Sequence, residues 1–245
     1  MIYIFPKLFS MIKWRHLSIC LEHCPLCLAR RIIVRLDENE LAVRCLWCRS
    51  SAVTMSLAAV LNDLAGDLES SEVYELSSRG PLFNLLKQRA GKLTFSEYFD
   101  QVGPGEFHNG VQCQDVQNLT YSDKSFDICT STEVFEHVPD DLQGFSEIFR
   151  VLRQGGLFIF TVPLSGSVET VERARLKSNG LIEHLLPPEY HIDPARNHKG
   201  TLVFRNYGAD IVQRLKSQGF SEAKLVSPEI NIPWGLARRV VVGIK

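Results

Sequence analysis

From Glu72 onward the chain alternates short runs rich in Val, Ile and Phe with segments whose apolar residues recur at helical spacing. That alternation restricts the fold more than any other feature. The strand-like runs are 73–76, 92–99, 111–116, 125–132, 157–163, 223–230 and 238–245. Helical segments fit at 81–90, 142–153 and 208–220, each closing near a glycine: Gly91, Gly155 and Gly219. A strand, a helix and a further strand in series set neighbouring strands parallel. The expected fold is α/β, a Rossmann-like, doubly wound and mostly parallel sheet. No helix separates the last two strands, which predicts a C-terminal antiparallel hairpin. Residues 164–207 interrupt the alternation, with Pro187, Pro188 and Pro194 and several His, and read as a cap insertion over a substrate site.

Ahead of this pattern lies a second feature. Of seven cysteines, four form two C-x-x-C pairs, Cys24-Pro25-Leu26-Cys27 and Cys45-Leu46-Trp47-Cys48, with 17 residues between them. The intervening run reads as a β-hairpin turning at Asp37-Glu38-Asn39, which would bring the pairs together. Four thiolates suit a tetrahedral Zn2+ and leave no open coordination position, so the predicted zinc is structural. The alternative is a redox C-x-x-C, which normally opens a helix after a strand, whereas CPLC precedes a strand-like run. Cys20, Cys113 and Cys129 are left as buried thiols, and His23 as a substitute ligand or a surface residue. The expected organisation is an N-terminal extension and zinc knuckle over 1–50, a helix at 52–66 ending at Gly66, and the α/β domain over 51–245.

Charge excludes some classes of partner. The net charge is −1, so no global basic field points to nucleic acid. Residues 1–50 nevertheless hold eight Lys/Arg against four Asp/Glu, a local excess that keeps a nucleic-acid or protein substrate open. The apolar runs among residues 1–19 are broken at Pro6-Lys7, Lys13 and Arg15 and are too short to span a bilayer. No ordered signal-peptide regions occur, and the expected location is a reducing compartment, the cytoplasm.

An open α/β sheet binds ligands at the carboxyl ends of its strands, near the switch in strand order. The first strand runs into Ser77-Ser78-Arg79-Gly80-Pro81 and then a helix. Twenty-two residues beyond Glu75, Glu97 lies where an acid would accept hydrogen bonds from ribose hydroxyls. The third strand ends at Asp115-Val116, and the fourth runs into Thr130-Ser131-Thr132-Glu133.

Residues 114–163 resemble the core of class I S-adenosylmethionine-dependent methyltransferases of the type 11 group. The resemblance is carried in order by Asp115, Leu119, Ser125-Phe126-Asp127, Phe135-Glu136-His137-Val138, Arg150-Val151-Leu152 and Gly155-Gly156. It extends more weakly over about 70–245, and cysteine-knuckle extensions also occur ahead of such domains. It implies that Glu75 and the 77–81 turn, with Ser77 and Gly80, flank the methionine part of S-adenosylmethionine. It implies further that Glu97 holds the ribose, Asp115 and the Val116 backbone meet the adenine, and Thr132, Glu133 and Phe135 line the pocket. One departure stands out. The group's E-x-G-x-G-x-G becomes Ser77, Arg79 and Pro81 at the glycine positions, with Gly80 displaced.

Methyl transfer from a sulfonium is an in-line displacement, in which alignment and desolvation carry much of the catalysis. A base is needed only where the acceptor keeps its proton. Candidates are Glu136 and His137 after the fourth strand, and His191 in the cap, with His184 and His198 the weaker claimants. The expected activity is methyl transfer to a small-molecule acceptor. The alternative is a non-catalytic, or nucleic-acid- or protein-directed, binding protein with a degenerate cofactor loop.

Overall fold

A computed structural model describes residues 14–192, 200–229 and 232–245. Pro194, His198 and most of the first 19 residues lie outside the described residues. The cysteine region is a three-stranded antiparallel sheet of β1 (Ser18–Cys24), β2 (Ala29–Arg35) and β3 (Val43–Cys45), in that order. The expected β2–β3 hairpin is present, closed by a short 3-10 turn whose cap, Asn39, accepts from the Ala42 amide. The β1 strand carried no separate sequence signal.

Helix α1 (Ala52–Leu64) starts at Ser51, whose hydroxyl accepts from the Thr54 amide. It buries residues on every side, including Met55, Leu57, Ala58, Val60 and Leu61. A helix apolar all round must be covered all round. One side meets Cys24, Leu26, Ile33, Val43 and Cys45 of the cysteine sheet, and the other meets Val73, Ile128, Ile159, Val240 and Val242 of the main sheet. The cysteine sheet and the α/β body therefore share one core, in which each fully buried aliphatic side chain contributes about 1.5–3 kcal/mol.

The main sheet begins with β4 (Glu72–Glu75), β5 (Lys92–Glu97), β6 (Phe107–His108), β7 (Val111–Cys113), β8 (Phe126–Thr132) and β9 (Leu152–Thr161). Six short strands follow in the 164–207 segment: β10 (Val171–Glu172), β11 (Ala174–Leu176), β12 (Ile182–His184), β13 (Tyr190–Ile192), β14 (Gly200–Leu202) and β15 (Arg205–Asn206). The main sheet is completed by β16 (Glu222–Val226) and β17 (Val240–Ile244). Its order is β16-β17-β9-β8-β4-β5-β7-β6. Strands β9, β8, β4, β5 and β7 are mutually parallel, and β17 inserts antiparallel between β9 and β16. The expected terminal hairpin is thus present.

Helix α2 (Pro81–Arg89) packs with α1 on one face of the sheet. Helices α3 (Asp141–Val151) and α4 (Ile211–Ser217) pack on the other, against Phe158, Phe160 and Val241. Several boundaries differ from the sequence reading. Strand β9 begins at Leu152 rather than 157, because the chain turns extended straight after α3 and pairs Leu152 with Phe126. Gly156 permits this: a Cβ there would sit 2.8 Å from the Arg153 carbonyl oxygen and 3.0 Å from that of Asp127. Strand β7 stops at Cys113, since Asp115 folds into a turn with the Asn118 amide donating to its carbonyl. The β6–β7 hairpin turns on Asn109-Gly110, both at positive φ, a signal present in the sequence and not used. Helix α4 occupies less of 208–220 than its apolar spacing suggests. Cys113 and Cys129 are buried as expected, whereas Cys20 is only half-buried. Among the described residues no helix is long and apolar enough to cross a membrane.

Candidate functional site

Strand order reverses on either side of β4, so the carboxyl ends of β4, β5, β7 and β8 open the cleft that this topology provides for ligands. Glu75 closes β4 and is fully buried, with the Thr130 hydroxyl of β8 donating to its carboxylate. Burial, reinforced by the nearby charge of Glu97, pushes its carboxyl up to about 8. The following loop is tied to the end of β5. The Ser78 amide and hydroxyl each donate to Glu97 Oε1 at 2.9 Å, and the Ser77 hydroxyl does so at 3.4 Å. Arg79 forms an ion pair with the same carboxylate, its Nε 3.9 Å from Oε1 and its side chain half exposed. Among the described residues Glu97 Oε2 accepts no hydrogen bond. Gly80, the cap of α2, sits at φ +96 with open space where a Cβ would project. The serines thus tie down the turn at and beside the positions where the sequence resemblance leads to glycines.

Asp115 lies just past β7, its Oδ1 accepting from the Gln117 amide at 2.9 Å. Val116 is buried beside Gly144 of α3. At the ends of β8 and β9, Ser131 Oγ, Thr132 Oγ1, Glu133 Oε1 and Thr161 Oγ1 are buried without a hydrogen-bond partner among the described residues. Orphaned polar atoms of this kind carry a desolvation cost that a bound polar ligand would relieve. Phe135 corrects the sequence reading. It was expected to line the pocket, but its ring is wholly buried, stacked on Phe145 at 4.6 Å and packed on Phe158 and Phe160. Its apolar bulk is better satisfied in the core, and only its carbonyl serves the site's periphery, accepting from Arg205 and Tyr207.

The three predicted acceptor-side residues converge. Glu136 is 1% exposed. His137 Nε2 and His191 Nδ1 each lie 3.7 Å from Glu136 Oε1, and the two imidazole rings meet edge to face at 5.0 Å. Burial pushes the Glu136 carboxyl up to about 7, against the opposing pull of His191. His191 is in turn raised above the usual histidine range, chiefly by Glu136. His184 lies apart on β12, at an exposed position.

Two positioning residues, Arg205 and Leu202, escaped the sequence reading. The guanidinium of Arg205, 3% exposed, donates to the carbonyls of Phe135, Val138 and Pro139, pinning the 135–139 turn to the 164–207 segment. Leu202 supplies a carbonyl to His137, and Glu189 flanks His191. No motif marks the Arg205 and Leu202 contacts, because each joins positions more than 50 residues apart. Glu189 stood in the Glu-Tyr-His run and was the one legible signal.

The four paired cysteines gather as predicted. Cys24 Sγ is 3.6 Å from Cys48 Sγ, Cys27 Sγ is 3.9 Å from Cys45 Sγ, and all four lie within 4.8 Å of one another. Tetrahedral coordination with metal–sulfur bonds of about 2.3 Å would space sulfurs by about 3.8 Å. Leu28 and Arg49, the residues following each pair, both take positive φ, so the two turns are built alike. The Cys48 thiol is held low, at about 4, mainly by hydrogen bonding with Cys24, and Ser50 Oγ lies 3.1 Å from it. His23 is exposed and outside the cluster.

Residues 77–160 match the family profile described as a methyltransferase domain. Malonyl-[acyl-carrier protein] O-methyltransferase of Yersinia pestis is 27% identical over 118 residues, covering 45% of this chain and 44% of that protein. The chain thus spans less than half the length of that curated relative. Among solved structures, an S-adenosylmethionine-dependent methyltransferase from Mesorhizobium loti aligns over 78% of this chain and 98% of its own, with 13% identity and a TM-score of 0.49. A methyltransferase from Thermotoga maritima, described as a possible histamine N-methyltransferase, aligns over 78% and 87%, with 20% identity and a TM-score of 0.46. Residues 77–160 are thus similar to a methyltransferase domain, the likeness also implied by the motifs at 114–163.

Proposed function

We propose that the protein transfers a methyl group from S-adenosylmethionine to a small-molecule acceptor bound between the strand ends and the 164–207 segment. The observation that carries this reading is the cleft itself. Glu75, Glu97 and Asp115 stand at the ends of three adjacent parallel strands, beside four buried polar atoms without a hydrogen-bond partner among the described residues. This donor and acceptor set fits the cofactor. Glu97 Oε2 is open to a ribose diol, Gly80 leaves room at the start of α2, and Asp115 suits an adenine amino group. When bound, the cofactor supplies an electrophilic methyl on a sulfonium. The chain's own contribution is to orient it, exclude water through the buried strand ends, and present Glu136, His137 and His191 to the acceptor. The curated relative is by name an O-methyltransferase, and we take the acceptor atom to be oxygen. The four cysteines we assign to a structural Zn2+, on their mutual distances.

Calorimetric titration of the purified protein with S-adenosylmethionine tests the reading. Micromolar binding, weakened in Glu97→Gln, is expected. No binding at millimolar cofactor would leave a non-catalytic binding protein in its place.

A further inference from the structure

Glu136 presents a problem in electrostatics. Both its carboxylate oxygens are buried, and among the described residues neither accepts a hydrogen bond. A buried carboxylate left this way is costly unless something positive reaches it. Among the described residues, His137 Nε2 and His191 Nδ1 stand 3.7 Å from Glu136 Oε1, beyond hydrogen-bond distance.

The orientation of the imidazoles says what that something is. His137 Nδ1 lies 2.8 Å from the Leu202 carbonyl oxygen, which can only accept. Nδ1 therefore carries a proton, and Nε2 faces Glu136. His191 is set the same way with its nitrogens exchanged: Nε2 faces Glu189 Oε1 at 3.5 Å, and Nδ1 faces Glu136. Glu189 is itself held by Arg173 Nε at 3.2 Å. Two imidazole edges and a buried carboxylate thus converge on one point, where a single cation would satisfy all three. Outer nitrogens fixed by a backbone carbonyl and a carboxylate are how proteins orient metal-binding histidines.

We infer that Glu136, His137 and His191 form a second metal site, separate from the cysteines, which holds a divalent transition-metal ion on the acceptor side of the cleft. The three ligand atoms lie within 4.8 Å of one another. Bonds of about 2.0–2.2 Å need them somewhat closer. His191, 37% exposed on a short strand, has the freedom to move inward. Two imidazoles and one carboxylate suit Zn2+, Fe2+, Co2+ or Ni2+ better than Mg2+ or Ca2+. Three protein ligands leave positions open, as catalytic rather than structural sites do. The ligand class is a hydroxyl-bearing acceptor. Resting here on the methyltransferase reading, the step is as follows. The hydroxyl oxygen binds the ion and gives its proton to water. An oxygen lone pair then forms the O–CH3 bond, and the C–S pair departs with sulfur, leaving S-adenosylhomocysteine.

The test is cobalt counting on the metal-stripped full chain. Wild type is expected to take two equivalents of Co2+. One gives the intense near-ultraviolet band of thiolate ligation, and the other only weak visible bands. Glu136→Gln and His191→Ala should each lose the second equivalent and keep the thiolate band, which also reports that the chain is folded. A wild type that takes a single equivalent, or variants that both retain two, would overturn the site. Two equivalents bound by a protein that ignores S-adenosylmethionine would uphold the metal site while removing the methyl-transfer reading.

Discussion

Arg238 lies 2.5 Å from Glu133 at the end of β8 and, through its other terminal nitrogen, grips Glu40 beside the cysteine sheet. Its backbone amide donates to Ser56 of α1 as well. One residue thus ties the N-terminal module, the helix behind it and the rim of the cleft. Arg238→Ala should destabilise the fold by about 2 kcal/mol, below the range for fully buried pairs because Glu40 and Glu133 keep some solvent contact. It should also weaken cofactor binding, since Glu133 loses its anchor. Chemical denaturation and calorimetry on the same variant would check both, and a variant as stable as wild type would remove the role.

The cysteine site faces a direct test by chelation. Cys24 and Cys45 are buried in the core that α1 shares with the main sheet. Loss of the ion should therefore lower the melting temperature of the whole protein in one transition, not release a separate segment. Thermal scans with and without a strong chelator, paired with a zinc assay, give the answer. Zinc release with an unchanged melting curve would deny the structural role.

Glu75 makes a prediction about pH. Its folded-state value of about 8 lies above the ordinary 4.5. The folded protein therefore holds this proton more tightly than the unfolded chain, and stability falls as pH rises between those values. Glu75→Gln removes the titrating group, so its stability advantage over wild type should grow through that window. A stability difference that stays flat with pH would contradict the assignment.

Glu97 serves the loop with one oxygen and is open at the other. Glu97→Gln should weaken S-adenosylmethionine binding by about 10- to 100-fold, the worth of charge-assisted hydrogen bonds. Ser78→Ala should have a smaller effect, through loosening of the turn alone. Equal losses in the two variants would mean that Glu97 acts only by holding the loop.

The parallel strands, the helices between them and the meeting of the four cysteines were legible because each rests on local spacing. So was the placing of Glu75, Glu97 and Asp115, since strand ends follow from strand positions. Phe135 misled because an apolar residue beside a cleft reads the same whether its ring faces the ligand or the core. The start of β9 misled because Leu152 satisfies both the helical period and the strand that replaces it. Arg205 and Arg238 were invisible: their partners lie about 70 and 100–200 positions away, and an isolated arginine announces no partner.

The helix sandwiched between the cysteine sheet and the main sheet sets an order of events at the ribosome. Residues near 24–45 and residues near 240 line the same core around α1. The N-terminal module emerges first, but the outer side of α1 is not fully covered until the strand at Val240–Ile244 has been made. Contacts this distant along the chain close slowly. Part of the helix therefore stays open to chaperones and to self-association during synthesis, and completion of the fold waits on residues almost 200 positions downstream.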